Sequence, residues 1–200
     1  MTGFNSPSIV RKDIVHFATS NAEKAVEARS ILADFGITPI VLKVDVPEPL
    51  VVDLSELVTA KAVEAYRKLR IPIFVEHGGL YIAALNDQPG CLSKLVFDAL
   101  RGKICTMILP GVTRRAEARS AIAYCDGKKI HVFEGAISGT ISDAPRGTRD
   151  YYYDSIFVPD GQAKTYAEMS IDEKSSLSHV RTAYESFAKY LTNPSKTRRV

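Results

Sequence analysis

The stretch Ile14-Val15-His16-Phe17-Ala18-Thr19-Ser20-Asn21-Ala22-Glu23-Lys24, with its continuation over residues 25–35, decides the fold. An apolar run, a short polar loop and an amphipathic segment follow one another, which predicts a buried strand, a loop and a helix. Asn21 is a good N-cap, Glu23 lies in the positively polarised first turn, and Gly36 is suited to ending the helix. The pattern indicates an α/β protein.

The same loop is the first candidate site. Backbone N–H groups at a helix N-terminus favour an anion, and Thr19, Asn21 and Lys24 can turn onto the same oxyanions. A phosphate site is one interpretation. The other is an ordinary capped turn with a solvated lysine, and this segment alone does not decide between them.

Composition limits the function classes. The chain has 200 residues, 46% of them hydrophobic and 24% charged, which fits one sizeable globular domain. Its net charge of +3 does not call for nucleic acid or an anionic membrane, although clustered lysines would suit a small anionic ligand. Cys91, Cys105 and Cys125 show no metal-ligand or CxxC spacing and are expected to be reduced core thiols. We therefore expect a cytoplasmic protein that binds neither nucleic acid nor membrane.

A second strand is predicted over residues 40–46, followed by a proline-bounded loop and a helix. Pro47 and Pro49 hold this loop extended and place Glu48 on it. Asp53 with Glu56 has the form of a capping box for the amphipathic helix. Lys61 lies off its apolar stripe, and such a lysine is solvated unless the helix borders a cleft.

The run Glu76-His77-Gly78-Gly79 is the second focus of the sequence. It follows an apolar strand predicted over residues 71–75, and a strand-like pattern resumes at 81–85. Side chains at the end of a buried strand are where α/β proteins commonly place chemistry. The alternative is a plain hairpin turn with a solvated Glu-His pair.

Beyond this run, the pattern predicts a helix or helix pair over residues 92–109, broken near Gly102, with Lys94 near its start. Alternation over 118–124 and 130–133 around Asp126-Gly127 predicts a hairpin, continued by a further strand over 135–141.

Three successive tyrosines, Tyr151 to Tyr153, precede an apolar strand at 156–158. They cannot all face one core, so at least one is expected to present its ring to solvent or to a ligand. Ser170 and Glu173 then have the capping-box form for the last helix. Lys174, Ser178 and His179 lie off the apolar stripe of that helix, where a structural or a functional role is open.

Together these segments resemble the inosine triphosphate pyrophosphatase family, which hydrolyses non-canonical purine nucleoside triphosphates. The most specific pieces are ATSNAEK at 18–24, YYYDSIF at 151–157, and TYAEMSIDEKSSLS at 165–178 followed by His179. The similarity runs from about Ile14 to Leu191 and is closest to archaeal-type members.

The resemblance implies an elongated, two-lobed α/β fold, with a long twisted mixed β-sheet flanked by helices and a central nucleotide cleft. Residues 1–12 lack the apolar centre of a signal peptide and are expected to form a flexible N-terminal tail, and the basic residues of 192–200 predict a C-terminal tail, which leaves a single domain over 13–191. The resemblance also implies a homodimer that cleaves a nucleoside triphosphate at the α–β linkage, giving a nucleoside monophosphate and pyrophosphate. Mg²⁺ is the expected cofactor, with Mn²⁺ as an alternative.

Site residues follow from the resemblance position by position. The implied triphosphate ligands are Thr19, Asn21, Lys24, Lys61 and Lys94. Glu48 resembles the metal-binding carboxylate, and Glu76 matches the first acidic position of the strand-end motif, with catalytic and metal roles. Tyr151 stands where the family has a base-stacking phenylalanine. The other implied nucleotide-recognition residues are Tyr153, Asp154, Lys174, Ser178 and His179.

Two positions depart from the family pattern. His77 replaces the second carboxylate of the strand-end motif; imidazole can serve as a general base but is a poor Mg²⁺ ligand. Val180 replaces an arginine that reads the purine carbonyl, and valine donates no hydrogen bond. Arg181 lies about 100° further round the helix, so it should not occupy the same place.

Two hypotheses follow. The first is a divergent pyrophosphatase in which His77 acts as base or positions water. The second is a nucleotide-binding protein with lost or altered catalysis, acting as a sensor, as a partner subunit or on another phosphorylated metabolite.

Overall fold

The computed structural model describes residues 14–148 and 151–192. The predicted N-terminal tail over 1–12 lies outside the described residues, as does the tail predicted over 192–200 except for Thr192, which is the last residue of the final helix. Single 3₁₀ turns lie at Ala83–Leu85, Arg101–Lys103 and Tyr166–Glu168. The strands are β1 (Ile14–Ala18), β2 (Thr38–Leu42), β3 (Ile73–Ile82), β4 (Gln88–Gly90), β5 (Arg115–Cys125), β6 (Ile130–Ile141) and β7 (Phe157–Pro159). The helices are α1 (Ala22–Ala33), α2 (Leu54–Leu69), α3 (Ser93–Leu100), α4 (Ile104–Met107), α5 (Ile171–Ser176) and α6 (His179–Thr192).

The strands form a seven-stranded mixed sheet in the order β2-β1-β3-β5-β6-β7, with β4 paired to β3. β1 runs parallel to β2 and to β3, whereas the pairs β3–β4, β3–β5, β5–β6 and β6–β7 are antiparallel. The predicted mixed sheet flanked by helices is therefore confirmed.

Helices cover both faces of the sheet because neighbouring residues of a strand point to opposite sides. Phe74 packs with residues of α1 and α6, including Phe187, while Val75 packs with α2 on the other face. A third cluster lies at the far end of β3, where Leu80 packs with Phe157. The site described below lies where these clusters meet.

The predicted break in β3 is wrong. Glu76-His77-Gly78-Gly79 lies inside one continuous strand, which pairs with β5 from Ile73 opposite Cys125 to Ile82 opposite Ala116. A Cβ on Gly79 would lie 2.2 Å from the carbonyl oxygen of Gly90, so this glycine permits the close approach of β4 rather than a turn. Pairing with β1 ends at Phe74, which leaves the next two residues beside an open sheet edge.

Two further predictions need correction. β6 runs unbroken through Gly135. A Cβ at this position would lie 2.0 Å from the carbonyl oxygen of His179, so the glycine allows α6 to pack directly on the strand. The capping box of Ser170 and Glu173 is confirmed, but it begins the short helix α5. The last helix starts anew at Ser178, whose Oγ accepts the N–H groups of Val180 and Arg181.

Other bounds are close to the predictions. The second strand ends at Leu42 rather than residue 46, and the chain continues without regular structure to α2. Asp53 caps α2 by accepting the N–H of Glu56 at 2.7 Å. The helix pair α3 and α4 is broken at Arg101–Lys103, as predicted near Gly102.

Candidate active site

The loop between β1 and α1 is organised by Asn21. Its Oδ1 accepts the backbone N–H groups of Glu23 and Lys24 at 2.9 and 3.2 Å, and its own N–H donates to Thr19 Oγ1 at 3.1 Å. Two of the helix N–H groups that the sequence suggested for an anion are thus already used by the cap. The Asn21 amide nitrogen, 3.5 Å from the hydroxyl of Tyr152, and the Lys24 ammonium remain as donors towards the cleft.

A cleft of about 450 Å³ opens at the carboxyl end of β1. The structure brings thirteen sequence-predicted site residues to its walls: Thr19, Asn21, Lys24, Glu48, Lys61, Glu76, His77, Lys94, Tyr151, Tyr153, Asp154, Lys174 and His179. Ser178 does not line it; this buried residue caps α6 instead.

Lys24 and Glu76 form a buried ion pair at the centre of the cleft. Lys24 Nζ lies 2.9 Å from Glu76 Oε2, and Ser120 Oγ donates to Glu76 Oε1 at 3.0 Å. Burial alone would raise the pKa of Glu76, but Lys24 and Ser120 outweigh it and lower the pKa of this carboxyl. Glu76 is therefore ionised and held in place by a lysine that also faces the ligand space.

A second ion pair joins Lys61 on α2 to Glu48 on the proline-bounded loop, with Nζ and Oε1 2.5 Å apart. Lys61 is 8% exposed, so the solvated alternative for this lysine is wrong; its helix borders the cleft. The neighbouring His77 ring and the charge of Lys61 hold the pKa of Glu48 well below its usual range. Burial and the charge of Lys24 lower the pKa of Lys61.

The orientation of His77 is fixed by Cys91, the residue that directly follows β4. Its Nε2 lies 2.8 Å from the carbonyl oxygen of Cys91, and a carbonyl only accepts, so Nε2 carries a proton. Nδ1 faces Glu48 Oε1 at 3.6 Å. In the neutral imidazole, Nδ1 is thus the basic nitrogen, and it is the one turned towards the second ion pair.

The other end of the cleft combines rings with a third ion pair. Lys174 Nζ lies 2.5 Å from Asp154 Oδ2 and 5.2 Å from the centre of the Tyr151 ring. The Tyr153 hydroxyl lies 3.1 Å from His179 Nε2, whereas His179 Nδ1 is buried with no partner in the described residues. Burial lowers the pKa of His179 to about 3, so this imidazole is neutral.

Val180 and Arg181 lie as the sequence suggested. Val180 borders the cleft and packs against the core cluster of Phe17 and Phe187. Arg181 turns away, with Nη1 3.0 Å from Asp34 Oδ2 and its guanidinium also on Ser175 Oγ. It does not replace the missing arginine.

Three residues of the site are not among those predicted from the sequence. Glu27 and Tyr152 line the cleft, and Ser120 holds Glu76 from β5. Glu27 could have been predicted from the sequence, since it lies one helical turn after Lys24 and therefore on the same face of α1. Ser120 could not, because its contact with Glu76 depends on the register between β3 and β5.

The carboxylates fit a magnesium site that the ligand completes. Within residues 14–148 and 151–192, no three His, Cys, Asp or Glu side chains are grouped to hold a metal. Mg²⁺ does not require such a group, because it is commonly bound by one or two carboxylates, water and substrate phosphates. Glu48 and Glu76 are ionised oxygen donors of that kind.

Comparisons with known proteins agree with this geometry. The dITP/XTP pyrophosphatase of Methanopyrus kandleri is 39% identical over 181 residues, covering 90% of this chain and 96% of that protein. The enzyme of the same name from Korarchaeum cryptofilum is 41% identical over 164 residues, covering 82% and 88%. A HAM1 protein structure from Coxiella burnetii superposes with a TM-score of 0.79 at 26% identity, covering 90% of this chain and 98% of that one.

The model of the Ham1 family matches residues 15–190, almost the whole described chain. No helix within the described part of the chain is long and apolar enough to cross a membrane. The match and the archaeal relatives confirm the resemblance seen in the motifs, and the chain belongs to the Ham1 family of inosine triphosphate pyrophosphatases.

Proposed function

We propose that the protein hydrolyses a non-canonical purine nucleoside triphosphate, such as dITP or XTP, to the nucleoside monophosphate and pyrophosphate. The observation that carries this proposal is the meeting of Lys24 and Lys61 with the ring and polar groups of Tyr151 and Lys174 in one cleft. Cations at one end suit phosphates, and a ring at the other suits a base. Relatives named as dITP/XTP pyrophosphatases support the same reaction.

The lysines supply charge neutralisation. Lys24 and Lys61 are held ready by Glu76 and Glu48, and each Nζ can turn from its carboxylate to a phosphate oxygen while staying near its partner. Thr19 and Asn21 add a hydroxyl and an amide at the same end. Lys94, which is exposed and paired with Asp98 at 2.7 Å, is placed at the rim and is expected to contribute less.

His77 is proposed as the base. With its Nε2–H donated to the Cys91 carbonyl, a neutral His77 accepts a proton from water at Nδ1 while the water oxygen attacks the α-phosphorus. The bond between the linkage oxygen and the attacked phosphorus breaks, and pyrophosphate leaves. Glu48 beside Nδ1 stabilises the imidazolium that forms.

We further propose that Glu48 and Glu76 hold Mg²⁺, or Mn²⁺ in its place, together with the phosphates. When bound, such a cation offsets phosphate charge and lowers the pKa of a bound water. His77 is not assigned to the metal, because imidazole is a poor ligand for this hard cation.

The test is pyrophosphate release with Mg²⁺ or Mn²⁺ across ITP, XTP, dITP and the common ribonucleoside and deoxynucleoside triphosphates. We expect turnover concentrated on inosine and xanthine nucleotides, lost in Lys24→Ala and in Glu48→Ala. Lys128→Ala, an exposed lysine in the β5–β6 turn, is the matched control. Full activity in both cleft variants would overturn the site assignment.

His77 also favours a second candidate, a nucleotide-binding protein without hydrolase activity, because it stands where the family has an acid. His77→Asp separates the two. Loss of an existing activity would make His77 part of the catalytic machinery, whereas a gain of hydrolysis in an inactive protein would support the binding protein.

We propose a single two-lobed domain over residues 13–191 and a homodimer, both on the family resemblance. Limited proteolysis followed by mass spectrometry tests the domain bounds, and size-exclusion chromatography with light scattering tests the dimer.

A cytoplasmic location is proposed because Cys91, Cys105 and Cys125 are all free and buried, which suits a reducing compartment. Cell fractionation tests this location.

A further inference from the structure

Glu27 is a cleft residue to which the proposed reaction assigns no role. It lies on α1 one turn beyond Lys24 and is half-buried in the cleft wall. Its carboxyl makes no hydrogen bond and no ion pair with any residue in the ranges 14–148 and 151–192. A buried carboxyl without a partner is costly, so a protein that keeps one in a binding cleft needs an explanation.

The surroundings of Glu27 leave no cation free for it. Each lysine of the cleft already has a carboxylate partner, in the pairs Lys24–Glu76, Lys61–Glu48, Lys94–Asp98 and Lys174–Asp154. The charged groups that act on Glu27 are Glu76, Lys174, Lys24 and Asp154, and the titratable rings within electrostatic reach are Tyr151, Tyr166 and Tyr184. Burial and the negative charge of Glu76 raise the pKa of Glu27 to about 7. Near neutral pH the group is thus shared between acid and carboxylate.

At the start of α6, neither Val180 nor Arg181 supplies a side-chain donor to the cleft. α1 packs against α6, and Val180 at the start of α6 borders the cleft beside His179. Valine offers no hydrogen bond, and the Arg181 guanidinium is turned to Asp34 and Ser175. Glu27 lines the same cleft as Lys24 and as Lys174, whose Nζ lies 5.2 Å from the centre of the Tyr151 ring, so it borders the space that a nucleotide spanning both groups would occupy.

We propose that Glu27 determines base specificity by accepting the N1–H of a 6-oxopurine through its carboxyl oxygen. An acceptor oxygen is present in both protonation states, and the protonated acid also donates its O–H to the neighbouring O6. An N–H next to a carbonyl is the edge that hypoxanthine, xanthine and guanine present and adenine lacks, so this contact selects 6-oxopurines against adenine. This inference rests on the proposed function, because it concerns the base of that substrate.

The test compares ITP with N1-methyl-ITP, in which a methyl group replaces the N1 hydrogen. We expect the ratio of kcat/KM for ITP over N1-methyl-ITP to fall at least about tenfold in Glu27→Met, which keeps length but no hydrogen bond. Glu27→Gln keeps an acceptor oxygen and should hold the ratio within about threefold. Glu64→Met, at a half-buried position on α2 outside the cleft, is the matched control. Glu27→Ala provides the same comparison should Glu27→Met not fold.

An unchanged ratio in Glu27→Met, or an equal loss for both nucleotides, would overturn the inference and assign Glu27 to the sugar or to structure. The same ratio is measured as Kd by calorimetry without divalent cation. If the wild type hydrolyses nothing, the proposed function fails, and the Kd ratio alone decides the role of Glu27. Absence of binding to either nucleotide would overturn that role as well.

Discussion

At the scale of single residues, two ion pairs of the cleft join Lys24 and Lys61 to Glu76 and Glu48, the carboxylates that are also candidate metal ligands. Glu76 is 3% exposed in its side chain and depends on Lys24 and Ser120 for its charge, whereas Glu48 is half-exposed and depends on His77 and Lys61. Replacing a lysine therefore changes both ligand binding and the stability of the empty protein, and the two effects have to be separated by design.

Lys24→Ala is expected to abolish pyrophosphate release and to lower the free energy of unfolding by about 3 kcal/mol, because it leaves the charge of Glu76 buried and unpaired. Urea denaturation and the pyrophosphate assay measure the two effects. Adding Glu76→Gln to this variant removes the unpaired charge and should recover part of the stability without recovering activity. Equal stability of the single and double variants would contradict the buried pair.

Glu27→Gln is expected to stabilise the empty protein at pH 8 by about 1–3 kcal/mol and to have little effect at pH 4. The folded pKa of about 7 lies above the ordinary value of 4.5, so the folded state holds the proton more tightly. This contribution to stability is complete below pH 4.5 and is lost as the pH rises through 7. Gln never ionises and escapes the loss.

Denaturant midpoints at both pH values measure this effect, with Glu64→Gln as the control. A stabilisation equal at pH 4 and pH 8 would show that the cause is not ionisation of Glu27.

At the scale of elements, β3 brings the two halves of the site together. Its glycines have different surroundings: a Cβ on Gly79 would lie 2.2 Å from the carbonyl oxygen of Gly90, and one on Gly78 would lie 3.2 Å from that of Arg119. Gly79 thus allows β4 to approach, and β4 leads directly to Cys91, whose carbonyl holds His77.

Gly79→Ala is expected to destabilise the fold by about 3 kcal/mol and Gly78→Ala by about 1 kcal/mol or less, since only the first forces a backbone apart. Thermal and urea denaturation of the two neighbours gives the comparison. Gly79→Ala should also lower kcat more than Gly78→Ala by displacing the Cys91 carbonyl. Equal costs would mean that β4 can move away freely.

Local patterns were enough to predict the elements whose signals lie within a few residues. The N-cap of Asn21 and the capping box of Ser170 and Glu173 are such signals, and both are confirmed. The continuity of β3 and of β6 was not predictable, because Gly79 and Gly135 are explained by carbonyl oxygens of Gly90 and His179, which no local pattern reveals. A glycine pair has the same sequence in a turn and in a crowded strand.

In the site, too, the features that a local sequence pattern reveals were predicted, and those that depend on distant residues were not. All the implied site residues except Ser178 line one cleft, because a sequence motif identifies positions without any knowledge of their partners. What the sequence lacked were the pairings: Lys61 with Glu48, His77 with the Cys91 carbonyl, and Ser120 with Glu76. Each joins residues from different elements, so each depends on the assembled sheet and helices.

At the scale of the whole molecule, the cleft is a junction between segments that are distant in the chain. Asn21 comes from the first loop, Lys61 and Glu76 from the middle, and Tyr152 and Lys174 from the last third. Among the described residues, the contact from Asn21 Nδ2 to the Tyr152 hydroxyl at 3.5 Å spans 131 positions of sequence. A ligand that touches both ends of the cleft must therefore stabilise the fold as a whole.

The α,β-methylene analogue of ITP, in which the linkage proposed to be cut is replaced, is expected to raise Tm more than inosine monophosphate or pyrophosphate at equal concentration. At a hundred times its Kd, a ligand that binds only the folded state adds about 2.7 kcal/mol. Pyrophosphate reaches only the lysine end and the monophosphate chiefly the ring end, so neither should match the analogue.

Differential scanning calorimetry without divalent cation measures these shifts. Lys61→Met should reduce the shift from pyrophosphate, while Lys128→Met should leave it unchanged, because Lys61 lines the cleft and Lys128 lies in the exposed β5–β6 turn. If pyrophosphate alone reproduced the full shift of the analogue, the ring end around Tyr151 and Lys174 would contribute no binding free energy. The cleft would then be a polyphosphate site, and recognition of a base would have to be sought elsewhere on the molecule.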